Sequence, residues 1–119
     1  MTLFMTELHT ADPDRIARWY AEVLGLRILL RDEPKGFVLL EAPGGGRLAL
    51  KRSEEGRRGC RLVFQVDDPD ADRVRLQRLG VSVSEPSDNT EEQYREVRLV
   101  DPEGTPITLF AWSSRSETD

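Results

Sequence analysis

The 119-residue chain has one cysteine, one histidine and no apolar run of membrane-spanning length. A single cysteine, Cys60, excludes an intramolecular disulfide and any multi-cysteine metal cluster. It reads as a small, buried strand residue. A single histidine, His9, with no Gly-x-Ser-x-Gly turn anywhere, removes the usual nucleophile–base constellations. The opening "MTLFMTELHT" is too short and too polar for a signal peptide, so the cytoplasm is the expected location and no membrane partner is expected. A basic face is missing too. The 17 Lys and Arg alternate with 22 Asp and Glu for a net charge of −5, which argues against nucleic acid and leans only weakly toward cationic ligands. "GGG" at 44–46 has no lysine-serine after it and no following helix, so it reads as a hairpin turn and not a phosphate loop.

What the chain does have is an internal repeat. "FMTELHTADPDRIARWYAEVLGLRI" sets over "CRLVFQVDDPDADRVRLQRLGVSV", and "VLLEAPGGGRLAL" over "VRLVDPEGTPITL". Asp12, Pro13 and Asp14 superpose on Asp68, Pro69 and Asp70, and Leu24-Gly25-Leu26 on Leu79-Gly80-Val81. Val38 and Leu40 fall on Val97 and Leu99, Gly45 on Gly104, and Leu48 and Leu50 on Ile107 and Leu109.

Each copy reads as strand, helix, then three strands, with the second strand following Leu-Gly directly. Asp12 and Asp68 stand where helix N-caps belong, with proline at the first helical position. Ile16, Trp19, Tyr20, Val23 and Leu24 form one buried face of the first helix. The second helix, roughly Pro69 to Leu79, has a thinner stripe. Gly25 and Gly80 suit left-handed helix ends, and "APGGG" and "DPEG" punctuate the last strands. The expected fold is α+β: two tandem βαβββ modules with pseudo-two-fold symmetry, their mixed sheets curling around a shared cleft. One domain is expected over 1–113, with module one at about 2–52, module two at about 60–112, and a flexible tail at 114–119.

The repeated module, with "DPDRIARWYAEVLGL" in its first copy and "DPEG" before the last strand, resembles the vicinal oxygen chelate superfamily of glyoxalases, extradiol dioxygenases and fosfomycin- and bleomycin-resistance proteins. The matching elements are helix and turn signals and carry no chemistry. In the enzymes of that superfamily, His and Glu or Gln hold a divalent metal, early in each module's first strand and midway along its last. Carried over residue by residue, those places are Met5 and Ala49 in module one and Arg61 and Thr108 in module two. Alanine cannot coordinate, threonine is a feeble ligand, methionine suits soft ions and arginine brings a competing charge. No metal and no cofactor are expected.

Period-two alternation puts Leu8 on the helix side and Met5, Glu7 and His9 on the opposite face. His9 reads as polar lining, then as a ligand contact, and last as a metal ligand. The same alternation gathers Arg47, Ala49 and Lys51 from module one. From module two it gathers Arg61, Val63 and Gln65, then Glu96 and Arg98, then Thr108, Phe110 and Trp112. Phe37 joins if its strand faces the same way. This mixed wall suits a small organic ligand, with Met5, Glu7, His9, Phe37, Ala49, Arg61, Arg98, Thr108, Phe110 and Trp112 as the expected contacts. Alternatively the charges merely pair across a solvated sheet. Phe110 and Trp112 also suit subunit packing, since the resemblance implies a homodimer. Glu54 and Glu55, like Glu91 and Glu92, read as loop residues facing water.

Two functions follow. The first is a metal-independent binding protein that sequesters a toxic or antibiotic compound, as the resemblance to bleomycin-resistance proteins implies. The alternative is a lyase, isomerase or dioxygenase with a non-standard metal site, or a metal-free acid/base pair, around Glu7 and His9. A module kept only for protein contact is a third, plainer reading.

Overall fold

Two aspartates start the two helices. Asp12 Oδ1 accepts from the Arg15 N–H at 3.1 Å, and Pro13 opens α1 (Pro13–Leu24). Asp68 Oδ1 accepts from the N–H groups of Asp70 and Ala71 at 3.1 and 3.2 Å, ahead of α2 (Pro69–Arg78). Each carboxylate satisfies donors that the first turn leaves without an intrahelical partner. Past α1, Gly25 takes φ 78°, and the Leu26 N–H closes onto the Tyr20 carbonyl at 3.2 Å. That left-handed residue is the one glycine makes without a steric penalty. The α2 cap carries more weight, because only Pro69 and Leu76 of that helix are buried. Asp68→Ala should therefore lower stability by about 1 kcal/mol, read as a fall in the urea midpoint, with a smaller fall for Asp12→Ala.

This computed structural model describes residues 4–54 and 60–113, and the chain divides into two compact units, Met1–Gly59 and Cys60–Asp119. The fold is α+β, with one helix and one four-stranded mixed sheet in each unit. The first unit holds β1 (Thr6–Thr10), α1, β2 (Arg27–Asp32), β3 (Phe37–Glu41) and β4 (Arg47–Arg52), in the sheet order β1-β4-β3-β2. The second holds β5 (Leu62–Gln65), α2, β6 (Ser87–Asn89), β7 (Tyr94–Val100) and β8 (Pro106–Trp112), in the equivalent order β5-β8-β7-β6. In each, the first strand runs parallel to the last and the other pairs are antiparallel.

In the first unit Leu8, Val38, Leu40, Leu48 and Leu50 are buried on the helix side with Ile16, Ala17 and Tyr20. Trp19, Val23 and Leu24 flank this stripe and are only half-buried; the small Ala17, which apolar spacing undervalues, is fully buried. Thr10 is also buried, and its hydroxyl accepts from the Asp12 N–H at 3.1 Å, so strand end and helix start are tied together. In the second unit Leu76 joins Val97, Leu99, Ile107 and Leu109 in the core. The "DPEG" turn is held from inside: Asp101 is buried, and its Oδ1 accepts from the Glu103 and Thr105 N–H groups at 2.8 and 2.9 Å.

Two expectations are corrected. The second strand of module two does not follow Leu79-Gly80 directly; 81–86 lie outside any strand, and β6 spans only Ser87–Asn89. Pro86 has no N–H to give to a ladder. Ser84 alone links this segment to β7, through its N–H to the Arg98 carbonyl at 2.9 Å, while Arg73 of α2 holds the Ser84 carbonyl and Glu85. Cys60 is half-buried and precedes β5, so it is not a buried strand residue. The tail at 114–119 and Glu55 lie outside the described residues. No described helix is long and apolar enough to cross a membrane.

Candidate functional site

Each sheet has one face on its helix and one face away from it, and strand register decides which side chains share the second. In the first unit Glu7 lies beside Ala49, His9 beside Lys51, and Lys51 in turn beside Phe37. Phe37 therefore shares the face of Glu7 and His9, which the sequence had left open. Met5 precedes β1 and is half-buried. His9 Nε2 hydrogen-bonds Glu7 Oε2 at 2.9 Å, with side chains 46% and 41% exposed. Other charges of this face pair in place: Arg27 and Arg47 approach the two oxygens of Glu41 at 3.0 and 3.6 Å.

The second unit carries the more differentiated surface. Thr108, Phe110 and Trp112 alternate along β8, opposite Arg98, Glu96 and Tyr94 of β7, while Val63 and Gln65 flank Thr108 and Phe110 from β5. Phe110 and Trp112 meet edge to face at 5.1 Å between ring centroids. Tyr94 closes the group at 6.1 Å from Phe110 and 6.4 Å from Trp112, both T-shaped. Such contacts hold large rings in defined orientations, and here Trp112 still exposes 55% of its surface. Glu96 is buried and hydrogen-bonds the Arg98 Nε at 2.5 Å. Arg61, just before β5, donates from its Nη1 to the Thr108 hydroxyl at 3.0 Å.

Beside the aromatic group lies an open hollow of about 460 Å³, bordered by Tyr94, Glu96 and Arg98 and by the 87–91 segment. Its far wall is steadied from the opposite face, where Arg95 bridges Asp88 at 2.9 Å and Asp70 of α2 at 3.2 Å. Hydrogen bonds to Asp88, and then to Asp70, push the Arg95 pKa up. Sequence reasoning found Glu96 and Arg98 but missed Tyr94, which the same alternation one step earlier would have supplied. It also missed the hollow. Ser87, Asn89 and Thr90 carry no pattern, and Glu91, read as a water-facing loop residue, lines it.

Of the ten expected contacts, the first unit gathers Glu7, His9, Phe37 and Ala49 on one face of its sheet. The second gathers Arg61, Arg98, Thr108, Phe110 and Trp112 on the corresponding face of its own.

Two units of identical βαβββ order, each with a mixed polar and apolar sheet face away from its helix, define the paired-module class of α+β protein. More specifically, the chain belongs to the glyoxalase-like domain family, whose model matches residues 5–110, and so to the vicinal oxygen chelate superfamily. It is similar to TnmS3, an antibiotic-binding protein from a Streptomyces species, at 26% identity and a TM-score of 0.82, over 95% of this chain and 97% of that one. An integron cassette protein from the mobile metagenome of the Halifax Harbour sewage outfall shares the fold at 23% identity and a TM-score of 0.84, over 92% and 97%. A lactoylglutathione lyase from Agrobacterium tumefaciens does so at 20% and 0.76, over 92% of each chain. No curated protein sequence matches the chain significantly.

The four positions where that superfamily implies metal ligands do not fit a divalent ion. Ala49 is fully buried and offers no donor atom. The Thr108 oxygen already accepts from a guanidinium, and that guanidinium is the side chain of Arg61, the second position. A fixed positive charge at a ligand position repels a metal cation. Among the described residues, no group of three or more His, Cys, Asp and Glu is placed to hold a metal.

Proposed function

We propose that the protein is a metal-independent binder of a small organic molecule, acting as a homodimer that sequesters a toxic or antibiotic compound. The observation that carries this reading is the Tyr94–Phe110–Trp112 group, three rings in mutual edge-to-face contact on one sheet face beside a polar hollow. Apolar contact with a few orienting polar groups is the usual composition of a preformed ligand site. An antibiotic-binding protein among its structural neighbours supports the same reading, as does the Arg61–Thr108 contact at two of the metal positions. Binding of this kind needs no activated group, only complementary surface.

The test is a thermal-shift screen of polycyclic aromatic natural products, run beside titrations of zinc, manganese, iron(II) and nickel. The expected outcome is saturable stabilisation by at least one aromatic compound and none by the metals, since only a ligand of the folded state raises the midpoint. Stoichiometric metal binding lost in His9→Ala would overturn the metal-free assignment.

A second reading, as a lyase, isomerase or dioxygenase, rests on the Glu7–His9 hydrogen bond at 2.9 Å. A carboxylate and an imidazole in contact form a proton-transfer pair. That pair lies open to water, which weakens its claim. Activity lost in both Glu7→Gln and His9→Ala would favour this reading.

A further inference from the structure

Several arginines of both units face carboxylates: Arg31 meets Asp14, Arg73 meets Glu85, Arg95 meets Asp70 and Asp88, and Arg98 meets Glu96. Arg61 is different. Its Nη1 donates to the neutral Thr108 hydroxyl at 3.0 Å, and among the described residues no carboxylate pairs with it. A neutral oxygen fixes the direction of the guanidinium without cancelling its charge. A guanidinium has five N–H donors, so one bond leaves most of the fork available. Thr108 accepts with its oxygen, which leaves its own O–H proton to donate. Arg98 stands opposite Thr108 across the β7–β8 register, but its charge is already met by Glu96.

We infer that Arg61 and Thr108 form an oxyanion site, and that the ligand is a flat aromatic carboxylate. The inference rests on the small-molecule reading above and names the chemistry of that ligand. The carboxylate takes the charged fork of Arg61 and the Thr108 hydroxyl; the ring system runs along β8 over Phe110 toward Trp112. Alternate residues on a strand are roughly 7 Å apart, so this track spans two to three fused rings. The net charge of −5 points the other way, toward cations, but it does not describe this face. In the adjoining hollow Asp88 is bound to Arg95 and Glu96 to Arg98, so two of its three carboxylates are already neutralised. Arg61 and Thr108 also occupy two of the positions at which the superfamily implies metal ligands. Here a side-chain cation is built into that place.

The test uses three probes of one shape: 2-naphthoate, the neutral 2-naphthalenemethanol and the cationic 2-naphthylmethylammonium. Affinities are measured by calorimetry on the full chain and on Arg61→Met, Arg61→Lys and Trp112→Ala. A charge-assisted hydrogen bond is worth enough that naphthoate should bind about tenfold more tightly than the alcohol. Arg61→Met should abolish that preference, weakening naphthoate about tenfold more than the alcohol. Arg61→Lys should keep part of it, because charge persists while the fork is lost. Trp112→Ala should weaken naphthoate and alcohol alike. Binding of the ammonium probe as tight as that of naphthoate, or a carboxylate preference that survives in Arg61→Met, overturns the inference and leaves the small-molecule reading standing. Failure of all three probes, together with an empty aromatic screen, overturns both.

Discussion

Tyr20→Ala is expected to lower the unfolding free energy by about 3–5 kcal/mol. Tyr20 is fully buried on the sheet side of α1, with Ile16 and Ala17 on the same stripe, and its ring packs edge to face on Trp19 at 5.1 Å. Its backbone carbonyl also receives the Leu26 N–H that ends the helix. Truncation leaves a cavity the size of a phenol ring where α1 meets the strands, and a core packed at crystal density relaxes into it only partly. Chemical denaturation followed by far-UV circular dichroism reads the change as a lower midpoint. A shift under about 1 kcal/mol would mean that α1 is not the keystone of its unit.

Trp112→Ala is expected to weaken the tightest ligand from the aromatic screen by about thirtyfold, near 2 kcal/mol. The indole holds Phe110 at 5.1 Å and Tyr94 at 6.4 Å, so its loss removes a contact surface and the support of both neighbours. His9→Ala, made on the other sheet, should change the same affinity less than twofold. Calorimetry on both variants separates the cases. If His9→Ala carries the larger loss, the binding face is that of the first unit and the acid/base reading gains. Sedimentation of Trp112→Ala adds a second readout: a dimer that dissociates while ligand affinity holds would assign the indole to subunit packing.

The repeat was fully legible because it is written in local chemistry. Asp12-Pro13 and Asp68-Pro69 start the helices, Leu-Gly ends them, and a Gly-bearing turn after alternating apolar residues makes a hairpin. These signals recur in step in both halves, so the order of elements along the chain followed from sequence, while the sheet order β1-β4-β3-β2 did not. The exception, β6, failed for a physical reason: "VSVSEP" alternates like a strand, yet Pro86 and the hold of Arg73 on Ser84 and Glu85 keep 81–86 out of the ladder.

For the site, alternation correctly assigned the face of His9, Thr108, Phe110 and Trp112, since period two is a property of the extended backbone. Pair partners were another matter. That Arg61 rests on a hydroxyl while Arg98 is bound by a buried Glu96 depends on residues 47 apart in one case and two apart in the other. Charge counting treats these two arginines alike.

By itself, then, the sequence determined the repeated βαβββ plan, the helix starts and the faces of β1, β4, β5, β7 and β8, because each is set within a few neighbouring residues. Only the tertiary structure decided which charges are neutralised, where the 87–91 segment opens a hollow and how three rings meet. Those outcomes depend on strand register and on packing between segments far apart in the chain, which no local pattern encodes.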